Sequence, residues 1–319
     1  MSDDELSPGD GLIVCTAGRS GRASLSTVAF SFPLKVISPA RQFLEHVQVA
    51  WLISYGGGLV GGDRIRMKIR VERGSTLVLL TQGSTKVFKT RPDRYLSSDA
   101  TASGRTTRQL YRMSVAPRSF LVLLPAPVTC FSRSLYHQKQ VVHLEDETSS
   151  VILLDWYTSG RMHFKQGEQW EFDLYHSENE VWLDRKRIAK DVLLLEHDDG
   201  NNIDCDDDED PRTRRETTYR QRVEPYSCYA TLFLYGPETA RLRSYISSTF
   251  LALTQYTQSR PYSLVWSYST LEGGGGVARC AGHSTEAVKE WLCELLEAAG
   301  GQGGIETIIG KDLWQNALS

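Results

Sequence analysis

Between Arg64 and Val71 the chain alternates basic and apolar residues, with Arg64, Arg66, Lys68 and Arg70 interleaving with Ile65, Met67, Ile69 and Val71. A two-residue period predicts a β-strand with one buried face and one solvated, basic face. Other segments rich in β-branched, aromatic or leucine residues and bounded by turn formers extend the pattern. They are Thr27 to Val36, His46 to Ile53, Thr76 to Gln82, Thr85 to Lys89, Ser119 to Leu124, Ser150 to Tyr157, Glu168 to Leu174, Asp191 to Leu195, Tyr226 to Tyr235 and Tyr262 to Tyr268. The expected fold class is mainly β.

Two amphipathic helices are predicted in the C-terminal part. Pro237 suits an opening helical position, and Leu242, Tyr245, Ile246, Phe250 and Leu253 form an apolar stripe behind it. Ser284 or Thr285 can cap a second helix, in which Val288, Trp291, Leu292, Leu295 and Leu296 follow helical spacing and Gly300 supplies the stop. Two polar stretches, 91–107 and 196–216, break the pattern and are expected to be flexible surface insertions. The second holds the acidic run Asp204 to Asp210, which lacks the glycine and terminal acid of a calcium-binding loop.

Composition narrows the class. Hydrophobic residues are 40% and charged residues 24% of the 319, enough apolar material for a sizeable core and for a single large domain. A net charge of −3 offers no general positive field for phosphate backbones, so nucleic acid is not an expected partner. The N-terminal residues lack a secretory signal, and the most apolar stretch, Phe120 to Cys130, is broken by Pro125 and Pro127. A cytoplasmic location without membrane insertion is expected. The six cysteines are scattered without a C-x-x-C pair, so ordinary reduced thiols are expected rather than a zinc or redox motif. The seven histidines show no recognised ligand spacing, and no G-x-S-x-G elbow occurs.

The densest local signal is Gly56-Gly57-Gly58-Leu59-Val60-Gly61-Gly62-Asp63, which opens into the alternating strand. Its glycine spacing approaches that of a phosphate-binding loop, but Asp63 stands where the lysine belongs and a strand follows in place of a helix. A tight turn using positive φ explains the glycines. Asp63 shares the parity of Ile65 and Met67, Glu168 that of Trp170 and Phe172, and Asp155 that of Val151 and Leu153. A carboxylate directed into a core needs a partner, internal water or a cation, unless it lies at a strand end and reaches solvent. Lys86 has no evident nucleophilic partner and is expected to serve in an ion pair.

Gly57-Gly58-Leu59-Val60-Gly61-Gly62-Asp63 followed by Thr81-Gln82-Gly83-Ser84-Thr85-Lys86-Val87 resembles the signature pair of the UreD (UreH) family of urease accessory proteins. Ser159-Gly160-Arg161 with Gly167-Glu168, Arg222-x-x-x-Tyr226 leading into Tyr229 to Phe233 and Gly236-Pro237, and Ala278 to Gly282 before the Trp291 helix resemble later blocks in the same order. Ser54-Tyr55 replaces the two prolines usual in bacterial members and suggests a eukaryotic, fungal-like branch. The resemblance implies β-helix-like stacked sheets and a non-enzymatic urease maturation factor. It further implies a scaffold that binds UreF-like and UreG-like (GTPase) proteins on apo-urease and gives nickel, as a transient guest with no permanent cofactor, a path to the urease active site. Asp63 and Glu168 fall on family positions linked to that path, and Asp155 is added from parity. Gly57, Gly58, Gly61, Gly62, Gly83, Thr85, Lys86, Arg161 and Gly167 are the matched motif and structural positions. A purely structural adaptor, and a metal-dependent hydrolase using the three acids as ligands, remain as alternatives.

Overall fold

The computed structural model describes residues 6–39, 44–91, 105–162, 168–196, 219–256, 263–297 and 304–317. The two expected insertions lie largely outside these residues, as do Gly167, Cys205 and Gly300. Among the described residues the chain forms seventeen strands in two sheets and five α-helices.

The strands are β1 (Asp10–Ala17), β2 (Ala23–Phe30), β3 (Leu34–Ile37), β4 (Val47–Ser54), β5 (Arg64–Val71), β6 (Thr76–Thr81), β7 (Thr85–Val87), β8 (Thr107–Val115) and β9 (Phe120–Leu124). They continue as β10 (Val128–Cys130), β11 (Leu135–Leu144), β12 (Ser150–Thr158), β13 (Leu174–Leu183), β14 (Lys186–Glu196), β15 (Cys228–Tyr235), β16 (Leu264–Leu271) and β17 (Gly275–Gly282). The first sheet runs β14-β13-β11-β8-β5-β1-β2, and the second runs β16-β17-β15-β12-β9-β6-β4-β3, with β10 pairing β12 and β7 pairing β10.

From β4 to β13 the chain passes back and forth between the sheets, and each turn adds one strand to each stack. β5, β8, β11 and β13 pair in parallel in the first sheet, and β4, β6, β9 and β12 in the second. This winding is the expected β-helix-like arrangement. Its turns enter the second sheet at Val47, Thr76, Phe120 and Ser150, which are unevenly spaced, so no sequence period announces it.

The strand Arg64–Val71 has the anticipated alternation, with Ile65, Met67, Ile69 and Val71 each 1% exposed. These residues join Leu77, Leu79, Leu121, Leu123, Val151 and Leu153 in a core between the sheets. The opposite face of the second sheet is covered by helices α2 (Ala240–Tyr256), α3 (Thr285–Glu297), α4 (Ile305–Ile309) and α5 (Lys311–Ala317), while α1 (Tyr219–Val223) packs beside the first core. The described residues therefore form three layers, and no helix among them covers the outer face of the first sheet.

Helix α3 begins where expected, since the Ala287 N–H donates to Ser284 Oγ at 3.1 Å, and all five apolar stripe residues are buried. Helix α2 follows a short 3-10 turn at Pro237–Thr239. Its stripe seats Leu242 and Ile246 fully, whereas Leu253 is 44% exposed, so the buried face ends before the helix does.

Two strand predictions are corrected. Thr27 to Val36 is not one strand, because the chain leaves the first sheet at Phe30 and enters the second at Leu34 through a turn containing Pro33, which has no N–H for a ladder. Glu168 to Leu174 is not a strand before Leu174: Trp170 adopts φ 60° and its N–H donates to Ser159 O at 2.7 Å. Trp170 and Phe172 are buried there as parts of a folded loop.

The five described cysteines are free thiols. No helix among the described residues is long and apolar enough to cross a membrane.

Candidate functional site

The glycine-rich turn is built around close approach. Gly56, Gly57 and Gly62 have positive φ, and a Cβ on extended Gly58 would lie 2.6 Å from Lys86 O. Leu59 N–H donates to Lys86 O and Phe88 N–H to Leu59 O, both at 2.8 Å, so the two family-like motifs are zipped together by their backbones. Thr85 N–H donates to Pro127 O at 3.1 Å, which fastens the second motif to the next turn of the coil. Lys86 contributes its carbonyl; its side chain is exposed and makes no ion pair among the described residues, contrary to the expected pairing. Gly61 faces Thr90, and Gly83 turns the chain with φ 71°.

This turn places Asp63 just ahead of β5. The residue is 8% exposed, and its Oδ2 accepts the Val60 N–H at 2.8 Å. Burial raises its pKa, and the Val60 hydrogen bond holds it back. Inward parity is therefore correct for Asp63, and among the described residues no cation is paired with it.

Glu168 has a different environment. Arg161 Nε donates to Glu168 Oε2 at 2.8 Å, and Arg161 Nη2 donates to Oε1. The Arg161 guanidinium also lies 4.3 Å from the Phe131 ring centre. The hydrogen-bonded guanidinium holds the Glu168 carboxyl below its usual range. Glu168 is thus a neutralised acid in a loop.

Asp155, on the central strand β12, faces the interior between the sheets and is 8% exposed. Three neutral donors from the opposite sheet surround it. Gln138 Nε2 donates to Oδ1 at 2.8 Å, and Ser177 Oγ and Asn179 Nδ2 each donate to Oδ2 at 2.6 Å. Burial raises its pKa, and those hydrogen bonds oppose the rise. Among the described residues no salt bridge reaches this carboxylate.

The donors belong to a longer polar seam. Gln140 Nε2 donates to Asn179 Oδ1 at 3.0 Å, and Gln109 Nε2 donates to the Tyr111 hydroxyl at 2.9 Å. The Tyr136 hydroxyl lies against the side-chain carbonyls of Gln109 and Gln138, and its single proton serves one at a time. Among the described residues the buried Tyr175 hydroxyl has no hydrogen-bond partner. Registry extends the seam to the surface: Asp155 is level with Thr231 and Arg279 in the second sheet, and Asn179 with Asp191 in the first. Arg279 Nη2 and Asp191 Oδ1 close the rim at 2.9 Å.

The structure does not gather Asp63, Asp155 and Glu168 about one point. Among the described residues the three form no common group able to surround an ion. Asp63 and Asp155 both face the interior, the first beside the glycine turn and the second within the seam, whereas Glu168 stands with Arg161 in its loop. The seam residues Gln109, Tyr136, Gln138, Ser177 and Asn179 were not singled out from sequence. Their one legible signal is a row of amides and hydroxyls at alternate positions.

Comparison with known proteins agrees with the motif resemblance. The family model described as UreD urease accessory protein matches residues 10–314. "Urease accessory protein 4" of Cryptococcus neoformans is 32% identical, with 98% of this chain and 96% of that protein covered. "Urease accessory protein UreD" of Sorangium cellulosum is 34% identical over 92% of this chain and 81% of its own length. "Urease accessory protein D" of Arabidopsis thaliana is 29% identical, with coverages of 86% and 92%. Carried by the paired glycine motifs and by a match across nearly the whole sequence, the assignment is direct: the chain belongs to the UreD family of urease accessory proteins.

Proposed function

We propose that this protein is a non-enzymatic urease maturation factor, a cytoplasmic scaffold that assembles UreF-like and UreG-like proteins on apo-urease and gives nickel a route through its interior. The observation that carries the route is Asp155, a carboxylate between the sheets whose hydrogen-bond donors are all neutral. Nickel is the cargo. Carboxylate, amide and hydroxyl oxygens bind such an ion more loosely than a cluster of imidazoles or thiolates, so a seam of this composition suits passage over storage. The Asp191–Arg279 rim supports access from the surface, and the orphaned Tyr175 hydroxyl supports an interior that can take a polar guest.

The test is maturation of urease in cells carrying Asp155→Ala. The expected result is urease with less bound nickel, while the variant still co-purifies with the UreF-like and UreG-like partners. Normal nickel loading by a variant that binds those partners would sink the route. The protein would then be a structural adaptor, a reading favoured by the neutralised Glu168. The hydrolase alternative has little support, since the three acids do not converge.

A further inference from the structure

The outer face of the first sheet carries a second arrangement that the interior seam does not use. His137 on β11 and His176 on β13 are in register on adjacent parallel strands, with Glu178 two residues beyond His176. The imidazole rings stack with centres 4.4 Å apart and planes 8° from parallel. His137 Nε2 lies 3.4 Å and His176 Nε2 3.5 Å from the same atom, Glu178 Oε1. Both contacts are longer than an ordinary N–H···O hydrogen bond, and among the described residues the buried His137 Nε2 has no well-formed hydrogen bond.

We propose that His137, His176 and Glu178 bind one divalent transition-metal ion of the nickel or zinc class. Three potential donor atoms lie within 4.8 Å of one another, the one grouping of this kind among the described residues. Two donors each about 2.1 Å from a metal can be at most about 4.2 Å apart, a span that already contains both nitrogen–oxygen separations. The stacked rings need only turn about the soft terminal torsion for their lone pairs to converge. Imidazole nitrogen with one carboxylate selects nickel or zinc over magnesium or calcium, which prefer oxygen throughout.

Local charge limits the affinity. Lys139 Nζ stands 2.9 Å from Glu178 Oε2 and shares its charge with Glu180, while Arg108 lies level with His137 on the next strand. The ion must compete with these cations, so the site is exchangeable. It lies on the face of the sheet opposite Asp155 and does not depend on the interior route.

The test uses the full-length chain, stripped with chelator and dialysed against nickel chloride or zinc chloride in separate arms. Wild-type protein should retain about one more ion per chain than the His137→Ala/His176→Ala double variant in at least one arm, with imidazole ligation visible by X-ray absorption. Equal stoichiometry and affinity in both proteins, in both arms, would overturn the proposal. Equal melting temperatures establish that the double variant is folded. If it is not, Glu178→Gln, which keeps an acceptor for Lys139, replaces it. That variant should bind at least about tenfold more weakly, and unchanged affinity would likewise overturn the site.

Discussion

Asn179 Nδ2 donates to Asp155 Oδ2 at 2.6 Å, joining the first sheet to the second within the polar seam, where Gln140 and Tyr111 stand level with Asn179 on the neighbouring turns. A carboxylate held only by neutral donors resists ionisation, because hydrogen bonds replace only part of the hydration that its charge loses on burial.

That relationship fixes a pH dependence. The folded-state pKa of Asp155 is raised, so its contribution to stability is fully present below the unfolded value of about 3.9 and is lost as pH rises through the folded value. Wild type should therefore gain stability relative to Asp155→Asn as pH falls from neutrality towards about 4. Melting temperatures of both proteins across that range check it, and parallel curves would contradict the shift.

The Arg161–Glu168 pair titrates in the opposite sense. Its lowered carboxyl pKa gives stability that is present above the unfolded glutamate value of about 4.3 and is lost as pH falls through the folded value. Because Arg161 is partly exposed, screening limits the effect, and a double-mutant cycle with Arg161→Ala and Glu168→Ala should give a coupling of about 0.5–1 kcal/mol. Strictly additive losses in urea denaturation would show the pair to be energetically idle.

At Gly58 the constraint is steric, since the backbone there is extended and carries no positive-φ strain. Alanine would set its Cβ 2.6 Å from Lys86 O and 2.8 Å from the Phe88 ring, with a cost of about 1–3 kcal/mol. Gly57→Ala meets no neighbour but must adopt φ 75°, for about 1–2 kcal/mol. Urea midpoints for the two variants report these costs, and an unperturbed Gly58→Ala would show that the two motifs need not touch.

Leu292 is fully buried where α3 meets the second sheet. Leu292→Ala should lower stability by about 2–5 kcal/mol through lost burial and a residual cavity. Chemical denaturation measures this loss, and a change below about 1 kcal/mol would mean that the helix layer is loosely docked.

How much was legible in sequence follows from which side chains face inward. Arg64–Val71 and the α3 stripe could be read because every buried position there is apolar and most of the positions between are polar. β8, β11 and β13 were missed because their inward positions include Gln109, Gln138, Gln140, Ser177 and Asn179, which erase the contrast on which a two-residue period depends. The residues that hid these strands are the ones that surround Asp155. Parity placed Asp155 correctly because it follows Val151 and Leu153 on one continuous strand. It misled for Glu168 because Trp170, at φ 60°, breaks the strand that parity assumed. His137 and His176 are distant in sequence, and only the parallel register makes them neighbours.

That register has a directional consequence. Gln109, Gln138 and Ser177 come from successive windings and stand level with one another, so they form rungs about 4.8 Å apart, set by the spacing of hydrogen-bonded strands. Anything handed along these rungs moves crosswise to the strands, from one winding to the next. On the proposed route its stride would be set by main-chain geometry, and the side chains would set how long it lingers at each step.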